Sequence, residues 1–406
     1  MQTTQDTIAR HDAHMSINYG RYPVSMASGA GCRLTDADGK SYLDLFAGFG
    51  APVLGHCHPE LVAAVTEQAQ TLWHVGNLFH TDPQTRAAKW IADLGFGGRS
   101  FFCHSGADAN EAALKLARLY GNAHRGASTG EHGRYKVISC TQSFHGRSFA
   151  TMGATGNPKV SEGFGPLLAG YTNVAYNDLD AVRAALDPET VAVIAEPIQG
   201  EGGVNLPDAD YFKTLRALCD EHDLLLICDE VWTGCGRTGK PFAYQHWGVT
   251  PDIMTLGKGV GGGLAVGVMC AQDHVAEFYN AFTQGGVKHA TTLGGNCLSM
   301  AVTAKIFEII ERDGLCAHAA AMGDHATQRI AGWDDAGVQG VRGHGLFLGV
   351  QLAEGADGAG IARRALDAGL LINATQGNVL RIAPPITITQ GELDEGLDLL
   401  HTVLKA

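Results

Sequence analysis

The sequence predicts an α/β protein with a mostly parallel sheet, joined to a smaller α+β domain. Three observations predict it. Short apolar runs recur at 100–103, 135–140, 191–195, 224–228 and 266–270, and helical patterns fall between several of them. Strand-then-helix alternation implies parallel strands covered on both faces. Polar motifs follow those runs, where ligands of such sheets bind. After about Asn296 the pattern changes to a long helical stretch and then a mixture of short strands and helices.

The elements follow in order. Residues 1–20 are polar and read as an arm or short helix. Residues 32–45 read as a hairpin around the Asp38-Gly39 turn. In 109–120 the residues Ala109, Ala112, Ala113, Leu116 and Leu119 recur at helical spacing, with Glu111 and Lys115 as an i,i+4 pair. A long helix is predicted over roughly 296–312, strands over 346–352, 370–372 and 379–382, and helices over 361–368 and 391–404. The expected division is 1–50 as arm and hairpin belonging to the small domain, 51–295 as the large domain, and 296–406 as the rest of the small domain.

The 406 residues suffice for two domains with a substantial core. A net charge of −13 argues against nucleic acid or an anionic membrane as main partner. The 54 glycines are dispersed, as tight turns and close backbone approaches require. Ten cysteines without a Cys-x-x-Cys pair read as reduced thiols. His56 and His58 lack a nearby second ligand pair, so no metal site is expected. The N-terminal segment lacks basic and apolar signal-peptide regions, and no apolar run reaches membrane-spanning length. The expected compartment is the cytoplasm.

The most informative pair is Lys258, in Thr255-Leu-Gly-Lys-Gly-Val-Gly-Gly-Gly263, and Asp229, which closes the apolar run Leu224-Leu-Leu-Ile-Cys-Asp229. Singly, a lysine is usually a solvated charge and such an aspartate a turn cap. Together they suggest a pyridoxal phosphate (PLP) site. The lysine would hold the aldehyde as a Schiff base, and the aspartate would keep the pyridine nitrogen protonated. Around Ser105-Gly106-Ala107 the chain passes from strand to helix, and free helix-start amides could hold a phosphate. Taken alone, the same residues read first as a plain helix cap by Ser105 or Asp108. Phe144-His-Gly-Arg147 offers an aromatic ring and a carboxylate-binding guanidinium, though taken alone it reads first as a core phenylalanine and a surface arginine. Arg381 lies inside an apolar strand and needs a partner, structural or substrate. Glu201, between glycines, could pair with it and swing away, or be an exposed loop acid.

These motifs resemble a known family. Ser105-Gly-Ala-Asp-Ala-Asn-Glu111, Phe144-His-Gly-Arg147, Glu196-Pro-Ile-Gln-Gly-Glu-Gly-Gly203, Asp229-Glu-Val231, Gly234-Cys-Gly-Arg-Thr-Gly239 and Lys258 are similar to the class III, fold-type-I PLP aminotransferases. Tyr19-Gly-Arg-Tyr-Pro23, Leu54-Gly-His-Cys-His-Pro59, Thr155-Gly-Asn-Pro158 and Leu371-Ile-Asn-Ala-Thr375 narrow the resemblance to the acetylornithine and ornithine branch.

The resemblance implies a seven-stranded-type sheet, PLP as cofactor and a homodimer with shared sites. It implies Lys258 as Schiff-base lysine, Asp229 as partner of the ring nitrogen, Phe144 stacked on the ring, and Ser105, Gly106 and Ala107 at the phosphate. Thr292 from the partner subunit would help there. Arg381 would bind the α-carboxylate, Arg147 the distal one, and Glu201 would shield Arg381. Tyr19 would join the substrate site.

Three departures stand out. Ala107 replaces the branch's usual threonine, Trp232 its usual glutamine near the cofactor ring, and Gly48-Phe-Gly-Ala-Pro52 a more aliphatic segment. The expected reaction moves the ω-amino group of N2-acetylornithine to 2-oxoglutarate. Ornithine, succinylornithine, N-succinyl-diaminopimelate or another ω-amine are alternative donors. An aminomutase or decarboxylase is the alternative chemistry. A dinucleotide-binding oxidoreductase fails, because 257–263 lacks Gly-x-Gly-x-x-Gly spacing with a ribose-binding acid.

Overall fold

The computed structural model describes residues 3–126 and 133–406. Its strands are β1 (Met26–Ala30), β2 (Arg33–Asp36), β3 (Ser41–Asp44), β4 (Arg99–Cys103), β5 (Lys136–Cys140), β6 (Tyr171–Val174), β7 (Thr190–Ala195), β8 (Leu225–Asp229), β9 (Ile253–Leu256), β10 (Gly267–Ala271), β11 (Val338–His344), β12 (Phe347–Leu352), β13 (Leu370–Leu371), β14 (Asn373–Thr375) and β15 (Val379–Ile382).

The large sheet has seven strands in the order β4-β10-β9-β8-β7-β5-β6. Strands β9, β8, β7, β5 and β6 pair in parallel, whereas β10 runs antiparallel to both neighbours. The central strands read Thr-Val-Ala-Val-Ile-Ala and Leu-Leu-Ile-Cys-Asp, buried at every position. Leu226 and Cys228 join one apolar cluster, and Leu225 and Ile227 join the other. Alternate side chains thus enter cores on opposite faces, which only a sheet covered on both sides permits.

All five strands read from the sequence are present, with ends shifted by a residue or so. Two strands of this sheet escaped the reading. β6 is an edge strand whose central Thr172 and Asn173 are exposed and polar. β9 is a four-residue run between Pro251 and Gly257, too short to display periodicity.

The topology gathers the site. Since β10 reverses direction between β4 and β9, β4 runs the same way as the parallel strands. The segments after β4, β5, β7, β8 and β9 therefore leave one edge of the sheet. β10 begins at that edge, where a Cβ on Gly267 would lie 1.9 Å from the Ser105 carbonyl oxygen, so only glycine fits.

The predicted hairpin is β2–β3. β3 also pairs in parallel with β13, matching Leu43 with Leu370, so both chain ends share one sheet. A third sheet has the order β11-β12-β15-β14. Asn296 caps the Cys297–Arg312 helix, its Oδ1 accepting from the Ser299 amide at 2.9 Å. That helix packs on the helices Pro59–Thr71 and Asp82–Leu94. Among the described residues no helix is long and apolar enough to cross a membrane.

Candidate active site

A cavity of about 490 Å³ opens at the gathered edge, lined by Ser105, Gly106, Ala107, Phe144, Arg147, Asp229 and Lys258 among others. Seven residues singled out from the sequence therefore meet in space.

Asp229, at the end of β8, is buried and triply bonded. Its Oδ2 accepts from Asn110 Nδ2 at 2.8 Å and lies 2.8 Å from His145 Nδ1, while Oδ1 accepts from the Val231 amide at 3.0 Å. Asn110 in turn donates to the His145 carbonyl at 2.7 Å and accepts from Thr255 Oγ1 at 2.7 Å. Burial opposes the His145 imidazolium, but the hydrogen bond and charge of Asp229 outweigh it, so the His145 pKa is raised. The result is a carboxylate held in one orientation by the His145 imidazole and two neutral donors.

Lys258 opens a 3₁₀ turn, Lys258–Gly261, directly after β9. Its φ of 46° lies in the left-handed region, which a lysine occupies only when its surroundings hold it there. The Cys297–Arg312 helix pins the turn, Thr303 Oγ1 donating to the Val260 carbonyl at 3.0 Å. Burial lowers the amine's pKa from 10.5 to about 8; Arg381 adds to this, and Glu201, Asp229 and Glu196 oppose it. A usable fraction is then the neutral nucleophile near neutral pH.

Ser105 caps the helix Gly106–Ala123, its Oγ accepting from the Asp108 amide at 3.2 Å. The capping interpretation therefore holds for Ser105 Oγ, and the first-turn amides of Gly106 and Ala107 still line the cavity. A Cβ on Gly106 would meet Val231 Cγ1 at 2.6 Å, so the close approach of helix start to strand end needs glycine. The Phe144 amide donates to Glu196 Oε2 at 3.1 Å, which anchors the ring at the cavity wall. Burial pushes the Glu196 carboxyl up to about 7. Arg147 is exposed, with its Cζ 5.7 Å from the Phe144 ring and no carboxylate partner among the described residues.

On the far side of Lys258, Arg381 projects from β15 and is buried. Its Nη1 donates to Glu201 Oε1 at 2.7 Å and to the Gly200 carbonyl at 3.2 Å. Its Nε and Nη2 both donate to Asn373 Oδ1. Glu201 is the charged partner the sequence argument required, and Asn373 fills the other edge of the guanidinium.

The family model described as Aminotransferase class-III matches residues 14–404. The chain belongs to the class III aminotransferases. This aminotransferase is 43% identical over 388 residues to an acetylornithine aminotransferase of Caldanaerobacter subterraneus subsp. tengcongensis, covering 95% of this chain and 96% of that protein. It is 42% identical to the acetylornithine aminotransferase of Myxococcus xanthus, covering 97% and 96%. The fold superposes on ornithine aminotransferase from Toxoplasma gondii with a TM-score of 0.92 at 30% identity, covering 100% of this chain and 95% of that one. In that relative PLP partly occupies the active site.

PLP is the cofactor of this family, and the donor set of this aminotransferase fits it. A buried carboxylate stands ready for a ring nitrogen, an amine with lowered pKa for an aldehyde, and two helix-start amides for a phosphate. The buried indole N–H of Trp232 has no acceptor among the described residues, which leaves a donor for a ligand.

Of the sequence-predicted residues, Trp232, Glu201 and Arg381 adjoin the Lys258 side of the site without lining the cavity, and Thr292 and Tyr19 also lie outside that lining. Thr292 is exposed on the segment before Asn296. Tyr19 is exposed, with the Arg21 guanidinium 5.3 Å from its ring. Four site residues went unread: Asn110, His145, Thr255 and Asn373. All four lie inside quoted motifs, yet a polar side chain that acts by holding another reveals its role only when its partner is known. Among the described residues no cluster of three His, Cys, Asp or Glu could hold a metal, and His56 instead meets Asp44 at 2.8 Å.

Proposed function

We propose that this aminotransferase moves the ω-amino group of N2-acetylornithine to 2-oxoglutarate, giving N-acetylglutamate 5-semialdehyde and glutamate. The observation that carries the reading is the closed pair of Glu201 and Arg381 at 2.7 Å. A donor that reacts through its far amine must not be seized by its α-carboxylate in the orientation that presents its α-carbon. A neutralised Arg381 suits that donor; an exposed one suits 2-oxoglutarate, which reacts through its α-carbon. Arg147, exposed and without a carboxylate partner, suits the distal carboxylate. The acetylornithine aminotransferases that resemble this chain over nearly its whole length support the same donor.

Bound PLP supplies an aldehyde carbon that carries the amino group and a ring that accepts electrons. Lys258 Nζ would attach to that aldehyde carbon and, as a positioned base, would move a proton away from the donor's amine-bearing carbon. Asp229, held by Asn110 and His145, would keep a proton on the ring nitrogen. Phe144 would cover the ring, and the amides of Gly106 and Ala107 would hold the phosphate.

We infer further that the active unit is a homodimer, with Thr292 of each chain reaching the other's phosphate. Leu78 is 93% exposed, Phe282 100% and Val287 70%, and Phe79 and Leu293 are also exposed. Leu78, Phe79 and Val287 line a cavity of about 640 Å³ near the Thr292 segment. Exposed apolar surface of this extent is what a partner subunit covers.

The test is a coupled assay of N2-acetylornithine, ornithine, succinylornithine and N-succinyl-diaminopimelate, each with 2-oxoglutarate. N2-acetylornithine should give the largest kcat/KM. A larger value for another ω-amine would replace the donor, and turnover without 2-oxoglutarate would replace the reaction.

A further inference from the structure

The sequence marks Trp232 as a departure at a cofactor-binding position, and the structure puts both cations of the inner site over its ring. Lys258 Nζ lies 4.2 Å from the ring centroid and Arg381 Cζ 4.7 Å. Phe347 stacks on the indole at 5.0 Å and 21°, and Phe49 meets it edge-on at 6.3 Å. Phe49 also lies 5.9 Å from Arg381 Cζ, so the guanidinium has aromatic rings from two segments beside it. The indole is only 7% exposed. Among the described residues Lys258 Nζ makes no hydrogen bond and no ion pair; Glu201, Asp229, Glu196 and Arg381 act on it through space. Its close polar contact is therefore an aromatic face, which attracts a cation most strongly where water is excluded.

We propose that Trp232 is a positioning residue shared by both ends of the site: its ring holds the Lys258 nitrogen and the Arg381 guanidinium in place, leaving Glu201 as the part that moves. Two fixed cations on one rigid, buried ring explain how a carboxylate switch can open without the arginine losing its orientation. Asn373 secures the guanidinium's other edge. The inference rests on the PLP reading, because it treats Lys258 as the cofactor's attachment point.

The experiment compares the full-length holoenzyme with Trp232→Phe and Trp232→Leu. Phe keeps an aromatic face; Leu fills space without one. Two quantities are read from the cofactor's absorbance: the pH midpoint of the Lys258-linked chromophore, and the Kd of glutarate, a dicarboxylate that cannot react. In Trp232→Leu the midpoint should fall by about one pH unit, since a desolvated ring–cation contact is worth roughly that much. Glutarate should bind on the order of tenfold more weakly. Trp232→Phe should stay close to wild type in both. If Phe and Leu behave alike, whether both are normal or both impaired, the position supplies volume and the proposal is overturned. A change in only one quantity overturns the shared role. The PLP reading fails separately, if borohydride fixes no cofactor on Lys258 of the wild-type protein.

Discussion

His145 Nδ1 lies 2.8 Å from Asp229 Oδ2, and both side chains are almost wholly inside the protein. The pair turns a strand-end carboxylate into a group of fixed orientation. His145 also donates its amide to Thr155 Oγ1 at 2.9 Å, so ring and backbone are both tied. His145→Leu should leave Asp229 short of a charge-assisted bond, at a cost of about 1.5–3 kcal/mol. Turnover should fall roughly tenfold to a hundredfold, and Asp229→Asn should lower it further while the fold persists. Steady-state kinetics with circular dichroism checks both, and unchanged turnover in Asp229→Asn would remove the aspartate from the chemistry.

The amine of Lys258, lowered from 10.5 to about 8, sets a pH dependence for cofactor capture. Only the neutral amine attacks an aldehyde. Apoenzyme mixed with PLP should react faster as pH rises and level off above about 8. Stopped-flow absorbance measures this, and borohydride followed by peptide mapping should find the adduct on Lys258. A midpoint near 10.5 would mean an ordinary solvated lysine.

Glu201 and Arg381 should separate the two half-reactions. Losing the charge-assisted contact of Arg381 costs about 1.5–3 kcal/mol, or roughly tenfold to more than a hundredfold. Arg381→Ala should slow the 2-oxoglutarate half-reaction by at least that factor. Glu201→Ala should instead favour glutamate-type donors over ω-amino donors. Single-turnover absorbance with each substrate decides, and an unchanged ratio in Glu201→Ala would falsify the switch.

Two buried carboxyls give stability a pH slope. Burial raises Glu196 and Glu230 from 4.5 to about 7. Between those values the folded chain keeps protons that the unfolded chain releases, so stability falls as pH rises through that window. Glu230 is far from bare: its carboxylate accepts from Thr233 Oγ1 and from the Tyr244 amide at 2.7 Å. Glu230→Gln should flatten the thermal midpoint across the window, as scanning calorimetry in a pH series would reveal. An unaltered slope would assign it to other groups.

Thr292 tests the shared site. Thr292→Ala should weaken PLP retention several-fold without changing the sedimentation of the proposed dimer. Replacing Phe282 with aspartate should shift the protein toward monomer and lose activity in parallel. A fully active monomer at assay concentration would refute the shared site.

The sequence by itself determined the fold class, the cofactor chemistry and seven of the residues that line the cavity. Apolar runs such as the one ending at Asp229 read as buried strands, and Lys258 reads as part of a Gly-rich turn downstream of that carboxylate. Those inferences need only local pattern. It did not reveal β6, whose edge position lets polar residues in, or β9, too short to show a period. Nor could it show that β10 runs antiparallel, the reversal that brings Ser105 to the edge where Lys258 stands. Only the tertiary structure decided which polar groups hold the reacting ones: Asn110 and His145 on Asp229, Asn373 on Arg381, and the ring of Trp232 beneath two cations. Each of those roles depends on a distance between residues remote in sequence, and such distances are set by how the strands order and the sheets pack.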